Sequence, residues 1–259
     1  MIPVKISIIT ITYNSERTVD ETLRSVVSQD YPNLEYIIID GGSTDSTLSI
    51  IDGYREHISY LISEKDEGIS DAFNKGIKVA TGDVIGILNS DDVLLPGALK
   101  AVAEAYEEGV DVFRGNTILW NEITQYKCRE IPSMKFPKVP YTIHVAHQST
   151  FITRQAYQKY DAFDVRFRYA MDLELLCRYY LAGAVFKYVD ADLALYRIGG
   201  VTSDPLPKKK EELMLLIRKN GGSAFQAKMY YAFLYVFDVA KSFLNLFGED
   251  FKRKIRYKS

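Results

Sequence analysis

The sequence predicts an α/β protein built on a mostly parallel sheet, and three observations point there. Over the first 120 residues, short β-branched runs alternate with segments of helical periodicity. The 259 residues are 47% hydrophobic and 25% charged, enough to bury a sizeable core in one large or two small domains. No run of about 18 apolar residues occurs, so a membrane-spanning helix is not expected.

Residues 4–12 (VKISIITIT) read as a buried strand. Asn14 and Ser15 are cap candidates for a helix over 17–28, with Val19, Leu23, Val26 and Val27 inward. Residues 34–40 (LEYIIID) form a second strand, and Gly41-Gly42-Ser43 a tight turn into another helix. A short strand follows at 58–63. The next helix, 68–80, has Ile69, Ala72, Phe73, Ile77 and Ala80 on one face. Residues 84–88 give a fourth strand, and Pro96 opens a helix at its first turn. Beyond 112 the pattern is less regular. Two strands with a turn near Asn121 span 112–129, and 131–150 is a proline-rich crossing segment. A helix is expected at 171–182, a strand at 185–196, a flexible loop at Gly199-Gly200, and helices at 211–219 and 224–247.

Repeated strand–helix–strand units cross over right-handedly, and ligands bind beyond the carboxyl ends of such strands. Four successive strand ends carry polar or acidic clusters: Thr12-Tyr13-Asn14, Asp40-Gly41-Gly42-Ser43, Glu64-Lys65-Asp66-Glu67-Gly68 and Asn89-Ser90-Asp91-Asp92. Their convergence at one edge is the strongest physical signal in the chain. The last cluster suits a hard divalent cation shared with a diphosphate, which needs only one or two protein carboxylates. Alone it reads equally well as a helix cap near Pro96; with the other three ends the metal reading is preferred. Asp40 is either a turn former before Gly-Gly or an acceptor for a nucleobase or ribose donor, and the constellation favours the second.

Composition excludes several classes. The net charge of −2 supplies no basic field for nucleic acid. Two cysteines, Cys128 and Cys177, rule out a disulfide scaffold, fit a reducing compartment and are expected to be packed thiols. The chain opens on a strand rather than a secretory leader, so a cytoplasmic location is expected. No G-x-G-x-x-G follows the first strand, which disfavours hydride transfer.

The stretches SIITITYNSERTVDETLRSVVSQDYPNLEYIIIDGGSTDST and SEKDEGISDAFNKGIKVATGDVIGILNSDD resemble the nucleotide-sugar half of family 2 inverting glycosyltransferases of the GT-A fold. The resemblance spans residues 4 to about 203. It implies a Rossmann-like three-layer sandwich over 1–205, with a nucleotide-sugar half (1–95) and an acceptor half (96–205). It further implies a nucleoside-diphosphate sugar donor, typically a UDP-sugar, a saccharide or lipid-linked acceptor, Mg²⁺ or Mn²⁺, and a setting in bacterial surface polysaccharide assembly. Thr12 and Tyr13 would wall the nucleobase with Glu16 nearby, and Asp40 would read the base. Lys65, Asp66, Asp71 and Asn74 would line the base, ribose and sugar. Asp91 matches the last acid of the family's D-x-D and would bind the metal. Asn89 and Ser90 belong to the donor site, Asn89 standing where the family often has Asp.

An in-line displacement needs a carboxylate to take the acceptor's proton. Asp172, in Tyr169-Ala170-Met171-Asp172-Leu173-Glu174, resembles the second acid of the family's acidic pair, with Met171 in place of the first. It serves as that base or as a helix N-cap. His147-Gln148 resembles an HQ pair ahead of the acceptor site, and Phe163-Asp164 the family's G-x-F-D turn. Arg197, beside Gly199-Gly200, is either a lid residue closing on the diphosphate or a surface salt-bridge partner.

Residues 206–259 lie outside the resemblance. Phe225, Met229, Phe233, Val236, Ala240, Phe243 and Phe247 share one helical face, and Lys252, Arg253, Lys254, Arg256 and Lys258 follow. Such a helix docks on its own domain, pairs in a homodimer, or lies on the inner face of a membrane. Two rivals stand beside glycosyl transfer. A nucleotidyltransferase would need a basic glycine-rich loop after the first strand, which is absent. A degenerate nucleotide-sugar binding module is kept in play by Asn89.

Overall fold

A computed structural model describes residues 4–137, 139, 145–198 and 206–245. Strands Ile6–Thr12 (β1), Leu34–Asp40 (β2), Tyr60–Ser63 (β3) and Val84–Asn89 (β4) alternate with helices Val19–Val27 (α1), Thr47–Asp52 (α2) and Ile69–Val79 (α3). All three pairings among these strands are parallel, with β1 between β2 and β4. Ile6, Ile8 and Ile9 are fully buried, so β1 is apolar on both faces, as the centre of a parallel sheet requires.

The second half completes one nine-stranded sheet. It comprises Val93–Leu94 (β5), helix Ala98–Ala105 (α4), Val112–Asn121 (β6), Tyr126–Glu130 (β7), Thr150–Thr153 (β8), helices Arg154–Tyr160 (α5) and Met171–Leu181 (α6), and Phe186–Arg197 (β9). The strand order is β3-β2-β1-β4-β8-β6-β9-β5, with β7 paired to β6. The parallel character predicted from the first half holds there. Here β8 runs antiparallel to both β4 and β6, and β5 antiparallel to β9. Helix α4 starts two residues after Pro96, because Gly97 takes a left-handed φ of 80° that no helical residue adopts.

Two apolar layers flank the sheet. Val19, Leu23, Leu99 and Val102, from α1 and α4, fill one side. Phe73, Leu175, Leu176 and Tyr179, from α3 and α6, fill the other. Gly86 in β4 lets them close: a Cβ there would lie 2.6 Å from Phe151 and 2.9 Å from Ile8.

Helices Leu206–Lys219 (α7) and Ala224–Asn245 (α8) follow. Leu213, Leu216, Ile217, Ala227 and Tyr230 join the core on the α3–α6 side. The Gly199-Gly200 loop and the basic run 252–258 lie outside the described residues. Among the described residues, no helix is long and apolar enough to cross a membrane. Of the two cysteines expected to be packed, Cys177 is buried, its thiol pushed up to about 12 by burial and the Glu174 charge. Cys128 is exposed, because β7 lies off the main strand order, paired with β6.

Candidate active site

The strand ends do converge. In register, Thr12 stands beside Asp40, and Ile11 beside Asn89. Asn14 takes a left-handed φ of 46°, tolerable for asparagine, and turns the chain so that its side-chain oxygen accepts from Thr44 N at 2.9 Å. The Glu16 carboxylate accepts from Ser46 N at 3.0 Å. These bonds stitch the β1 and β2 turns into one wall. Tyr13 stands over it with its ring 63% exposed.

Asp40 is fully buried. Its oxygens accept from Thr12 Oγ1 (2.8 Å), Gly42 N (3.1 Å), Ser43 N (2.9 Å), Ser43 Oγ (2.5 Å) and Ser63 Oγ (2.6 Å). Burial opposes its charge, but the bonds from Ser43, Ser63 and Thr12 override it and hold the carboxyl below its ordinary range. Asp40 is therefore the internal anchor of this wall, and a base reaching it must displace one of those hydroxyls.

The β3 end is less uniform. Asp66 accepts from Gly68 N at 2.9 Å and presses on Gly41, where a Cβ would lie 2.5 Å from its Oδ2. Lys65 is exposed beside it. Asp71 caps Glu67 N at 3.1 Å and pairs with Lys75 at 3.3 Å. Asn74, expected along the sugar, is tied to the acceptor half. Its amide donates to Phe163 O (2.8 Å) and accepts from Phe163 N (2.9 Å), so both ends tie α3 to the acceptor half.

The β4 end carries the acids. Ser90 Oγ meets Ser15 Oγ at 2.7 Å. Asn89 Oδ1 is buried with no hydrogen-bond partner among the described residues. Burial raises the Asp91 carboxyl. Asp92 is fully buried and accepts from Gln148 Nε2 (2.6 Å) and the Arg197 backbone N–H (3.0 Å). Burial and the adjacent Asp91 charge push it up to about 7.

Facing them, His147 Nδ1 lies 2.8 Å from Asp172 Oδ2. His147 Nε2, Asp172 Oδ1 and Gln148 Oε1 are buried with no partner among the described residues. Burial works against the imidazolium, but Asp172, Asp92 and Asp91 together raise the ring above its ordinary value. His147 and Asp172 also line a cavity with Ile87, Tyr157, Phe163 and Leu176. Asp172 is not the N-cap: the cap is Ala170, and Asp172 is the second helical residue. The turn before the helix is held instead by Glu212 of α7, which accepts from the N–H groups of Arg168, Tyr169 and Ala170. Glu174 turns away to Arg178 and Lys219.

Arg197, expected as a lid residue or a salt-bridge partner, lies next to the β4 end. Its guanidinium pairs with Glu21 at 2.6 Å and Glu122 at 3.1 Å, donates to Asp91 O at 3.1 Å, and lies 4.7 Å from the Trp120 ring centre. Two carboxylates and an indole hold it, which is the salt-bridge alternative.

Sequence reasoning missed Glu21, Trp120, Glu122 and Arg114. Arg114 is buried, donates from Nε to Thr150 Oγ1 at 3.2 Å, and feels the Asp172 charge. Burial lowers its guanidinium to about 10. A charged residue inside the run VFRGNTILW was the available signal. Among the described residues, no group of three or more His, Cys, Asp or Glu is placed to hold a metal ion. Asp91 with the orphaned Asn89 oxygen fits a cation that takes its remaining ligands from a diphosphate and water.

A mostly parallel sheet with helices on both faces and acids at its strand ends, beside an imidazole–carboxylate pair, presents the edge at which α/β folds bind their ligands. Residues 7–165 match the family described as "Glycosyl transferase family 2", and the chain belongs to that family. A putative glycosyltransferase, EpsE, of Bacillus subtilis is 29% identical over 75% of this chain and 72% of its own. A Campylobacter jejuni GalNAc(5)-diNAcBac-PP-undecaprenol beta-1,3-glucosyltransferase is 30% identical over 46% of this chain and 40% of its own. The chain covers 33% to 72% of the length of the first three curated relatives it matches. The fold is that of the Staphylococcus aureus TarS 1–349 complex with UDP-GlcNAc, with a TM-score of 0.68 at 22% identity over 89% of this chain and 71% of that one.

Proposed function

We propose that the chain transfers a sugar, with inversion, from a nucleoside-diphosphate sugar to a hydroxyl of a saccharide or lipid-linked acceptor in surface polysaccharide assembly. The observation that carries this is the pairing of Asp172 with His147 against the Asp91–Asp92 strand end. One oxygen of Asp172 is held by the imidazole and the other has no partner among the described residues. That free oxygen takes the proton of the acceptor hydroxyl as its oxygen bonds the anomeric carbon. The bond to the diphosphate breaks on the opposite face, and its electron pair leaves with the nucleotide.

Thr12, Tyr13 and the wall anchored by Asp40 hold the base, with Glu16, Lys65, Asp66 and Asp71 around the ribose and sugar. Gln148, fixed on Asp92, lies on the acceptor side. Asp91 and the Asn89 oxygen would hold Mg²⁺ or Mn²⁺, which neutralises diphosphate charge when bound. UDP is favoured as the nucleotide by the family resemblance and by the UDP-GlcNAc in the TarS complex. The undecaprenol-linked acceptor in the Campylobacter enzyme's name supports a lipid-linked one here.

The test is Asp172→Asn. Turnover of UDP-sugars should fall by about 10²–10⁴-fold, while UDP affinity stays within about twofold because Asp172 lies in the acceptor half. Undiminished turnover would remove Asp172 as the base. Nucleotide binding without turnover in the unsubstituted protein would favour the binding-module reading.

A further inference from the structure

We propose that the outward face of α8, in a C-terminal region whose sequence is rich in Lys and Arg, seats this chain on an anionic lipid surface. Helix α8 is apolar on two opposite faces. Ala227, Tyr230 and Leu234 turn inward and pack on the core shared with α7. Opposite them, Phe225, Met229, Val236 and Val239 are 72%, 50%, 67% and 51% exposed. At 1.5 Å per residue this stripe runs for about 20 Å. A helix apolar all round requires a cover on both sides, and among the described residues none covers the outward side.

Charge selects the occupant. Residues 206–259 hold twelve Lys and Arg against five Asp and Glu, net +7, whereas residues 1–205 hold twenty against twenty-nine, net −9. Within 206–245 alone the balance is seven against three. Asp238 is the one acid in the α8 sequence. A second copy docking through this face would bring together two α7–α8 segments that each carry seven Lys and Arg against three Asp and Glu. An anionic bilayer matches both the apolar stripe and the charge. The site also lies on the acceptor side of the fold. Glu212 of α7 holds the turn before Asp172, and Lys219 pairs with Asp164 at 2.6 Å. The inference goes beyond the transfer reading, because lipid binding requires no turnover.

The test is co-sedimentation of the full chain with phosphatidylcholine vesicles, with and without phosphatidylglycerol. Binding should be at least about tenfold stronger on the anionic vesicles and should weaken in high salt. The triple variant Phe225→Ser, Met229→Ser, Val236→Ser should lose about tenfold in vesicle binding with its circular dichroism and UDP affinity unchanged. An independent charge variant, Lys252→Gln, Arg253→Gln, Lys254→Gln, should lose the preference for phosphatidylglycerol. Equal binding to both vesicles, or none, overturns the proposal. So does a dimer in sedimentation analysis that the triple serine variant dissociates, which would assign the stripe to a second copy.

Discussion

Replacing Asp92 by Asn should change how stability depends on pH. The Asp92 carboxyl is fully buried, and burial with the neighbouring Asp91 charge sets it at about 7. In the unfolded chain it titrates near about 3.9. Because the folded protein binds this proton more tightly, the contribution to stability is complete below about pH 4 and is lost as pH rises through about 7. Three pH units at about 1.4 kcal/mol each give on the order of 4 kcal/mol.

Asn keeps the shape and removes the charge. Its oxygen can accept from the Arg197 N–H, and its amide can donate to Gln148 Oε1 once the Gln148 amide flips, an oxygen with no partner among the described residues of the parent. Urea unfolding between about pH 4.5 and pH 7.5, with chelator present, measures the slopes. The parent should lose stability across that range, and the variant's curve should be nearly flat. His147, raised above its ordinary value, acts in the same direction, and losing the Asp92 charge weakens its contribution too. Parallel curves for the two proteins would refute the burial argument.

Gly86→Ala should cost about 1–3 kcal/mol by overpacking Phe151 and Ile8, read as a lower urea midpoint at constant slope. Glu212→Ala leaves three N–H groups without their acceptor and should cost about 1–3 kcal/mol, with a matching fall in turnover as Asp172 loses its footing. Asp91→Asn should abolish any strengthening of UDP binding by Mn²⁺ in calorimetry while metal-free binding persists. Retained metal dependence would move the cation elsewhere.

The sequence made the donor half legible because its signals are local. Runs such as ISIITIT and LEYIIID can bury both faces only in the middle of a covered sheet, and topology then delivers Asp40 and Asn89–Asp92 to one edge. The contacts that decide what those residues do are not local. Asp92 meets Gln148 across 56 positions, and His147 meets Asp172 across 25. Periodicity says nothing about which buried oxygens are saturated. Asp40 and Asn74 thus read as ligand contacts in the sequence, and their internal bonds to Ser43, Ser63 and Phe163 were not legible there. Arg197 beside two glycines read equally as a lid residue or a salt-bridge partner, because nothing in one chain position announces Glu21 and Glu122.

The Glu212 carboxylate under the turn at 168–170 has a consequence for how this molecule can be dissected. A chain cut before residue 206 would not be a trimmed enzyme lacking an accessory tail. It would strip the support from the first turn of α6 and open the hydrophobic layer that Leu213, Leu216 and Ile217 close. The numbering invites a scissor there, but the folding unit runs through it.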